Sequence, residues 1–284
     1  MKLTSIALDL DGTTLLGDGT LSKRTKDAIE KAVEKGICVV PASGRALASL
    51  PKELLDIPGI RYVITSNGTA VVDLLDGKYL RKFTLSEDAA EQILTLTKDE
   101  PVVYEAFLDG EAYAHRAYVE DPVQFGAMPA AISYIQRTRK PVEDMPAFIR
   151  ANAGKVDCLD LVVKEEEKKR NLWKYLENHV DGIYVTSSVP QLLEISHKEA
   201  GKETALGFLL DYLGLKKEEA ASFGDGENDK GMLAFAGIGI AVANASAGCL
   251  AAADHITLSN DEEGVAAGIE WLLSRPLSEE GGSL

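Results

Sequence analysis

Two separated stretches of this chain repeat one grammar, a short apolar run followed by a helix with one apolar face. No other feature limits the fold as much. Near the N-terminus "SIALDL" precedes a segment opening at Ser22, in which Ala28, Ile29, Ala32 and Val33 recur at helical spacing before Gly36 closes it. "ICVVPA", the loop "SGR", a helix to about Leu55 and the strand "YVITS" continue the series. Towards the other end come a helix from about Lys202 to Leu213, "ASFGD", the helix "NDKGMLAFA", "IGIAVA" and a last helix after Asp261. This alternation predicts two pieces of one α/β core, a doubly wound parallel sheet covered by helices.

Between the pieces the grammar changes. From about Phe83 to Ser196 a helix opening at Ser86 leads to "VVYEAFL", the turn pair "DG" and "EAYAHR", a hairpin signature. "VDCLDLVV", the charged helix "KEEEKKRNLWKYLENH", "GIYVTS" and "QLLEIS" follow. The expected organisation is core residues 1–82, an inserted α+β unit at 83–196, and core residues 197–284, with a disordered tail after Pro276.

Bulk properties exclude several partners. Lys and Arg total 30 against 45 Asp and Glu, a net charge of -15, which disfavours nucleic acid and anionic membrane. Cys38, Cys158 and Cys249 are far apart and in no metal-like spacing. A reducing compartment, the cytoplasm, is therefore expected. "MKLTSIALD" reaches an aspartate too early for a signal-peptide apolar region. Gly231 to Ala253 carries no charged residue and is long enough to span a bilayer, but it is Ala- and Gly-rich, and Asn244 and Ser246 at its middle favour buried helix, strand and turn.

Ligands of open parallel sheets gather at the carboxyl ends of strands. Here those ends carry Asp9 and Asp11, Ser43 and Gly44, Ser66 and Asn67, and Asp225 with Asn228 and Asp229. In an extended strand residues 9 and 11 would point the same way, placing two carboxylates side by side. Alone, "DLDGT" suits a turn as well as a metal site, and it fails the EF-hand pattern at Thr14 and Thr20. "GDGENDKGML" suits a helix cap, which accounts for one acid but not three. Lys202 at a helix start opposes the helix dipole and invites an anionic ligand.

In order, "DLDGT", "SGR", "GKETAL" and "GDGENDKGML" resemble the four motifs of the haloacid dehalogenase superfamily. The large insert, with "ITSNG", "GIAVANA" and "SNDEEGV", is similar to the Cof-type sugar phosphatases. The third motif departs from the frequent Lys-Gly in having Glu203 after Lys202, and Lys198 is a weaker alternative for the lysine. The resemblance implies a phosphatase in which Asp9 is the nucleophile and Asp11 the acid/base. Ser43, Gly44, Lys202 and Asn228 would bind phosphate. Asp9, Asp11 (through its main-chain carbonyl), Asp225 and Asp229 would hold Mg2+. Arg45 and Asn67 are possible substrate contacts. It further implies that residues 83–196 form a cap and that a monomer or homodimer acts on a small phosphorylated metabolite. Tyr104, Phe107, Tyr113 and His115 on the hairpin are expected to serve packing more than substrate. A phosphomutase, a phosphorelay receiver domain and a noncatalytic ligand-binding regulator are the alternatives; the receiver is far shorter and lacks the insert.

Overall fold

The structure is a computed structural model that describes residues 2–275, so the tail after Pro276 lies outside the described residues. A parallel sheet is built from β1 (Ser5–Leu8), β2 (Cys38–Pro41), β12 (Ala220–Gly224), β13 (Ile238–Ala241) and β14 (His255–Ile256), in the order β14-β13-β12-β1-β2. Alternation along β1 explains its two layers. Ile6 and Leu8 pack with Ile29 of the helix Lys23–Glu34 and Ile269 of the helix Gly264–Ser274. Ala7 faces Leu206 and Leu209 of the helix Lys202–Leu213. Both faces are buried, and each Leu or Ile removed from water contributes about 1.5–3 kcal/mol. Ser22 caps the first helix by accepting the Thr25 N–H.

The antiparallel grammar begins earlier than the sequence suggests. β3 (Tyr62–Thr65), β4 (Ala70–Asp73) and β5 (Lys78–Lys82) form a three-stranded antiparallel sheet, joined to the parallel one by a bridge between Ala42 and Ile64. β4 and β5 were not anticipated, although "SNG" and "DG" mark their turns. The helix expected to reach Leu55 is only a 3-10 turn, Leu47–Ser49, and a short helix, Lys52–Leu55, separated by Pro51, which cannot donate within a continuous helix.

A second sheet has the order β10-β11-β9-β6-β7-β8. Its strands are β6 (Val103–Leu108), β7 (Glu111–His115), β8 (Arg139–Val142), β9 (Val156–Val162), β10 (Ile183–Thr186) and β11 (Leu192–His197). The Asp109-Gly110 hairpin appears as expected, both residues having positive φ, 49° and 80°. One face of the sheet carries Tyr104, Leu159, Leu161 and Leu193 against the helices Glu87–Thr97, Met145–Ala151 and Glu166–His179. The other face is turned to the carboxyl ends of β1 and β12, and a cavity lies between them. Gly231 to Ala253 divides into the anticipated helix, strand and turn, followed by a second helix, Ala247–Ala252, that was not anticipated. Among the described residues no helix is long and apolar enough to cross a membrane.

Candidate active site

Asp9 follows the last residue of β1, its N–H bonded to Phe223 O of neighbouring β12 at 3.1 Å. The chain then leaves the strand in a tight turn over Leu10–Thr14, with Gly12 at φ 78°. A Cβ at Gly12 would stand 2.6 Å from Asp225 Oδ2, so this close approach of the turn to the β12 loop admits only glycine. The turn also corrects the expectation drawn from strand alternation. Asp9 and Asp11 both line the cavity, but not as neighbours along an extended strand. Each carboxylate has its own cation instead.

Lys202, wholly buried, donates from Nζ to Asp9 Oδ1 at 2.5 Å and to Asp229 Oδ1 at 2.6 Å. Asp229 Oδ2 accepts the N–H groups of Asp225 (3.0 Å) and Gly226 (2.9 Å), fixing the acidic loop. Thr13 Oγ donates to Asp225 Oδ1 at 2.6 Å. Asp11 is gripped by Arg45, and Ser43 Oγ accepts the Arg45 N–H at 3.1 Å. Asn228 donates to Asn67 Oδ1, and Asn67 donates to Glu194 Oε1, both at 3.0 Å, so a chain of amides links the β12 loop to the second sheet.

Gly44, Arg45, Asn228, Asp9, Asp11, Asp225 and Asp229 line the cavity, whereas Ser43, Asn67 and Lys202 lie behind its wall. Asn67, expected as a substrate contact, therefore has its side chain committed to Asn228 and Glu194. Lys198 is exposed, whereas Lys202 is the buried cation at the carboxylates. Glu203 packs against Gly201 and Gly231 and does not line the cavity.

Electrostatically the group is short of positive charge. Burial, then Asp229, push the Asp9 carboxyl well above the ordinary carboxylate range despite Lys202. Burial and Asp229 raise Asp225 to about 6. Burial works against the Lys202 charge, but Asp229 and Asp9 overcome it and hold its pKa above that of an ordinary lysine. Asp9 Oδ2 is buried with no partner. Oxygens of Asp9, Asp225 and Asp229 lie within 4.8 Å of one another. Three carboxylates, one ammonium and an orphaned oxygen fit a hard divalent cation with oxygen ligands. The Asp11 side chain is not in this cluster.

Sequence reading missed most of the opposite wall. Tyr134 stacks on Arg45, its ring centroid 4.2 Å from the guanidinium carbon, and Arg139 lies 4.8 Å from the same ring. Glu105, Asp160 and Glu194 each interrupt an apolar strand at a position whose neighbours pack on helices. An acid inside each of the apolar runs "VVYEAFL" and "QLLEIS", and two inside "VDCLDLVV", were the available signal. Of the four hairpin residues only Phe107 lines the cavity. Tyr104 bonds Thr97 Oγ at 2.7 Å, Tyr113 packs on Phe148, and His115 accepts the Ala117 N–H.

A family model described as haloacid dehalogenase-like hydrolase matches residues 6–269. The chain belongs to that family. It is 31% identical to phosphatase YwpJ of Bacillus subtilis over 96% of this chain and all of the relative. It is 29% identical to 5-amino-6-(5-phospho-D-ribitylamino)uracil phosphatase YwtE of the same organism, over 95% of this chain and 98% of that protein. A solved haloacid dehalogenase-like hydrolase from B. subtilis superposes with a TM-score of 0.83 at 29% identity, covering 95% and 100% of the two chains. With such relatives along its length, the haloacid dehalogenase-like chain is an enzyme, a phosphatase, and its α/β core with an added antiparallel unit is the fold of that family.

Proposed function

We propose that the protein is a Mg2+-dependent phosphatase of small phosphate monoesters that works through an aspartyl-phosphate on Asp9. Asp9 itself carries the reading, with one oxygen held by Lys202 and the other buried and unpartnered at the end of β1. The cavity measures about 130 Å³, against roughly 10–15 Å³ for one water, which suits a small metabolite and no polymer. The name of one relative specifies a phosphoribityl ester, in keeping with a ligand of that size.

An Asp9 oxygen attacks phosphorus, the bond to the leaving oxygen breaks, and Asp11 gives that oxygen its proton. Asp11 then takes a proton from water as the water attacks phosphorus. The bond to Asp9 breaks, inorganic phosphate departs and the carboxylate is restored. Two unit charges 4 Å apart at an effective dielectric of 20 interact with roughly 4 kcal/mol. The approach of Asp9 to a phosphate therefore needs compensation, which Lys202 supplies in part. The Gly44 N–H and Asn228, which line the cavity, are assigned to the phosphoryl oxygens, and Ser43, expected there too, lies behind them and accepts the Arg45 N–H. Asp9, Asp225 and the Asp11 main-chain carbonyl, with Asp229 in support, would hold Mg2+, which when bound neutralises developing charge on the phosphoryl group. Residues 83–196 act as a cap over this site.

The test is phosphate release from p-nitrophenyl phosphate with Mg2+ and with excess EDTA, for wild type, Asp9→Asn and Asp11→Asn. Turnover is expected only with metal. Asp9→Asn should fall to background. Asp11→Asn should lose about 10²- to 10⁴-fold and accumulate a phosphoryl group on the peptide containing "IALDL" after acid quench. Full activity of Asp9→Asn, or the label on another residue, would remove the covalent mechanism.

A further inference from the structure

The face of the second sheet turned to the cavity carries a row of three carboxyl groups. The registers of β6, β9 and β11 put Glu105 opposite Asp160 and Asp160 opposite Glu194. All three are buried, at 0%, 1% and 3% exposure. Directly opposed like charges destabilise a sheet, so stability alone does not account for the row.

The two outer members are satisfied. Glu105 accepts from Arg139 Nε (3.1 Å) and Nη2 (3.2 Å). Glu194 accepts from Asn67 Nδ2 and from the Ser188 N–H. The middle one is not. Asp160 Oδ1 accepts the Cys158 thiol at 3.1 Å, but Oδ2 has no partner although the atom is buried and the residue lines the cavity. Burial, Glu194 and Glu105 together push the Asp160 carboxyl well above the ordinary range, against the opposing pull of Arg139. A neutral carboxyl offers a donor beside an acceptor, the complement of an alcohol hydroxyl. A metal is not the obvious occupant, because the carboxylates that cluster at ligand spacing among the described residues are Asp9, Asp225 and Asp229.

The same wall disfavours a second anion. The cations lining the cavity are Arg139, committed to Glu105, and Arg45, committed to Asp11. A carboxylate or second phosphate on the leaving group would meet the acid row with no free cation to receive it.

We propose that Asp160 is a specificity-determining residue that hydrogen-bonds a hydroxyl of the leaving group, and that its carboxyl row rejects monoesters bearing a second anionic group. The inference rests on the phosphatase reading above.

The test compares kcat/KM on matched esters: glycerol 3-phosphate with 3-phosphoglycerate, glucose 6-phosphate with 6-phosphogluconate, and p-nitrophenyl phosphate as a leaving group without hydroxyl or charge. Wild type should prefer the neutral member of at least one pair by about 100-fold. Asp160→Ala should lose about tenfold on the preferred neutral ester, the effect of one hydrogen bond, with p-nitrophenyl phosphate within twofold. Asp160→Asn, which keeps the shape and supplies both donor and acceptor, should restore the neutral ester to within about threefold. Equal rates on neutral and acidic members, an unchanged ranking in Asp160→Ala, or an Asn variant as impaired as Ala would each overturn the inference. So would a tenfold preference for glucosamine 6-phosphate over glucose 6-phosphate, which requires a charged acceptor. Wild type inert on every ester would instead remove the phosphatase reading, and this inference with it.

Discussion

Arg45 holds Asp11 by two parallel bonds, Nε to Oδ2 at 2.7 Å and Nη2 to Oδ1 at 2.6 Å. Its Nη1 donates to Ser49 O at 3.2 Å, and its face rests on Tyr134 from the inserted unit. The orientation of the proposed acid/base is thus set by a residue that itself touches the opposite wall of the cavity. A planar fork binds a carboxylate in one orientation, whereas an ammonium is a point charge.

Arg45→Lys should therefore keep the charge and lose the alignment. We expect kcat on an alkyl phosphate to fall about tenfold, since small misplacements of a reacting group are costly. The fall on p-nitrophenyl phosphate, whose leaving group needs little protonation, should be smaller. Equal losses on both substrates would show that Arg45 serves the site as a whole and not Asp11.

Metal binding has a signature independent of turnover. In the absence of a cation Asp225 is an acid raised to about 6 by burial and Asp229, so Asp225→Asn should be at least as stable as wild type at pH 7.5. With Mg2+ at about 100 times its Kd, wild type should gain about 2.7 kcal/mol and the variant little. Thermal melts with and without Mg2+ should reverse the order of the two proteins. Parallel gains in both would move the ion away from Asp225.

The sequence disclosed the first wall of the cavity and hid the second. Asp9, Ser43, Lys202 and Asp225 were visible because strand ends and helix starts place them by local rules. Their surroundings were not local. Asp11 sits inside the turn Leu10–Thr14 that follows Asp9, and the two carboxylates take their cations from positions 45 and 202. Glu105, Asp160 and Glu194 become a row only when three strands distant in sequence pair in register. Each alone is an acid in a strand. Strands β4 and β5 carry no alternating pattern: β4, "AVVD", is buried throughout, and β5, "KYLRK", has three basic residues in five.

Lys202 is a buried cation shared by two carboxylates, Asp9 and Asp229. Removing it leaves both without their ion pair, a change that typically costs about 3–5 kcal/mol. Lys202→Met should lower the urea midpoint at pH 7.5 by a corresponding amount. The loss should shrink as pH falls, because burial already drives Asp9 towards its neutral form and a protonated carboxyl needs no cation. A pH-independent loss would assign it to packing of the lysine stem and not to charge.

Asp157 provides the pH dependence that can be tested away from any metal. It is 2% exposed at the start of β9, with Lys82 Nζ 3.2 Å from Oδ1 and shared with Asp109 at 2.8 Å. Burial raises its carboxyl from 3.8 to about 6, and Lys82 offsets only part of that. Between about pH 4 and 6 the folded protein keeps a proton that the unfolded chain has released, so the contribution of Asp157 to stability falls as pH rises through this window and is level above it. A rise of that size corresponds to about 3 kcal/mol at most. Asp157→Asn stays neutral at every pH, and Lys82 retains Asp109. The variant should match wild type at pH 4 and exceed it by about 1–2 kcal/mol at pH 7.5 in urea unfolding. An equal difference at both pH values would trace the effect to shape and not to titration. A variant less stable than wild type at pH 7.5 would mean that the ion pair with Lys82 outweighs the burial of the carboxylate.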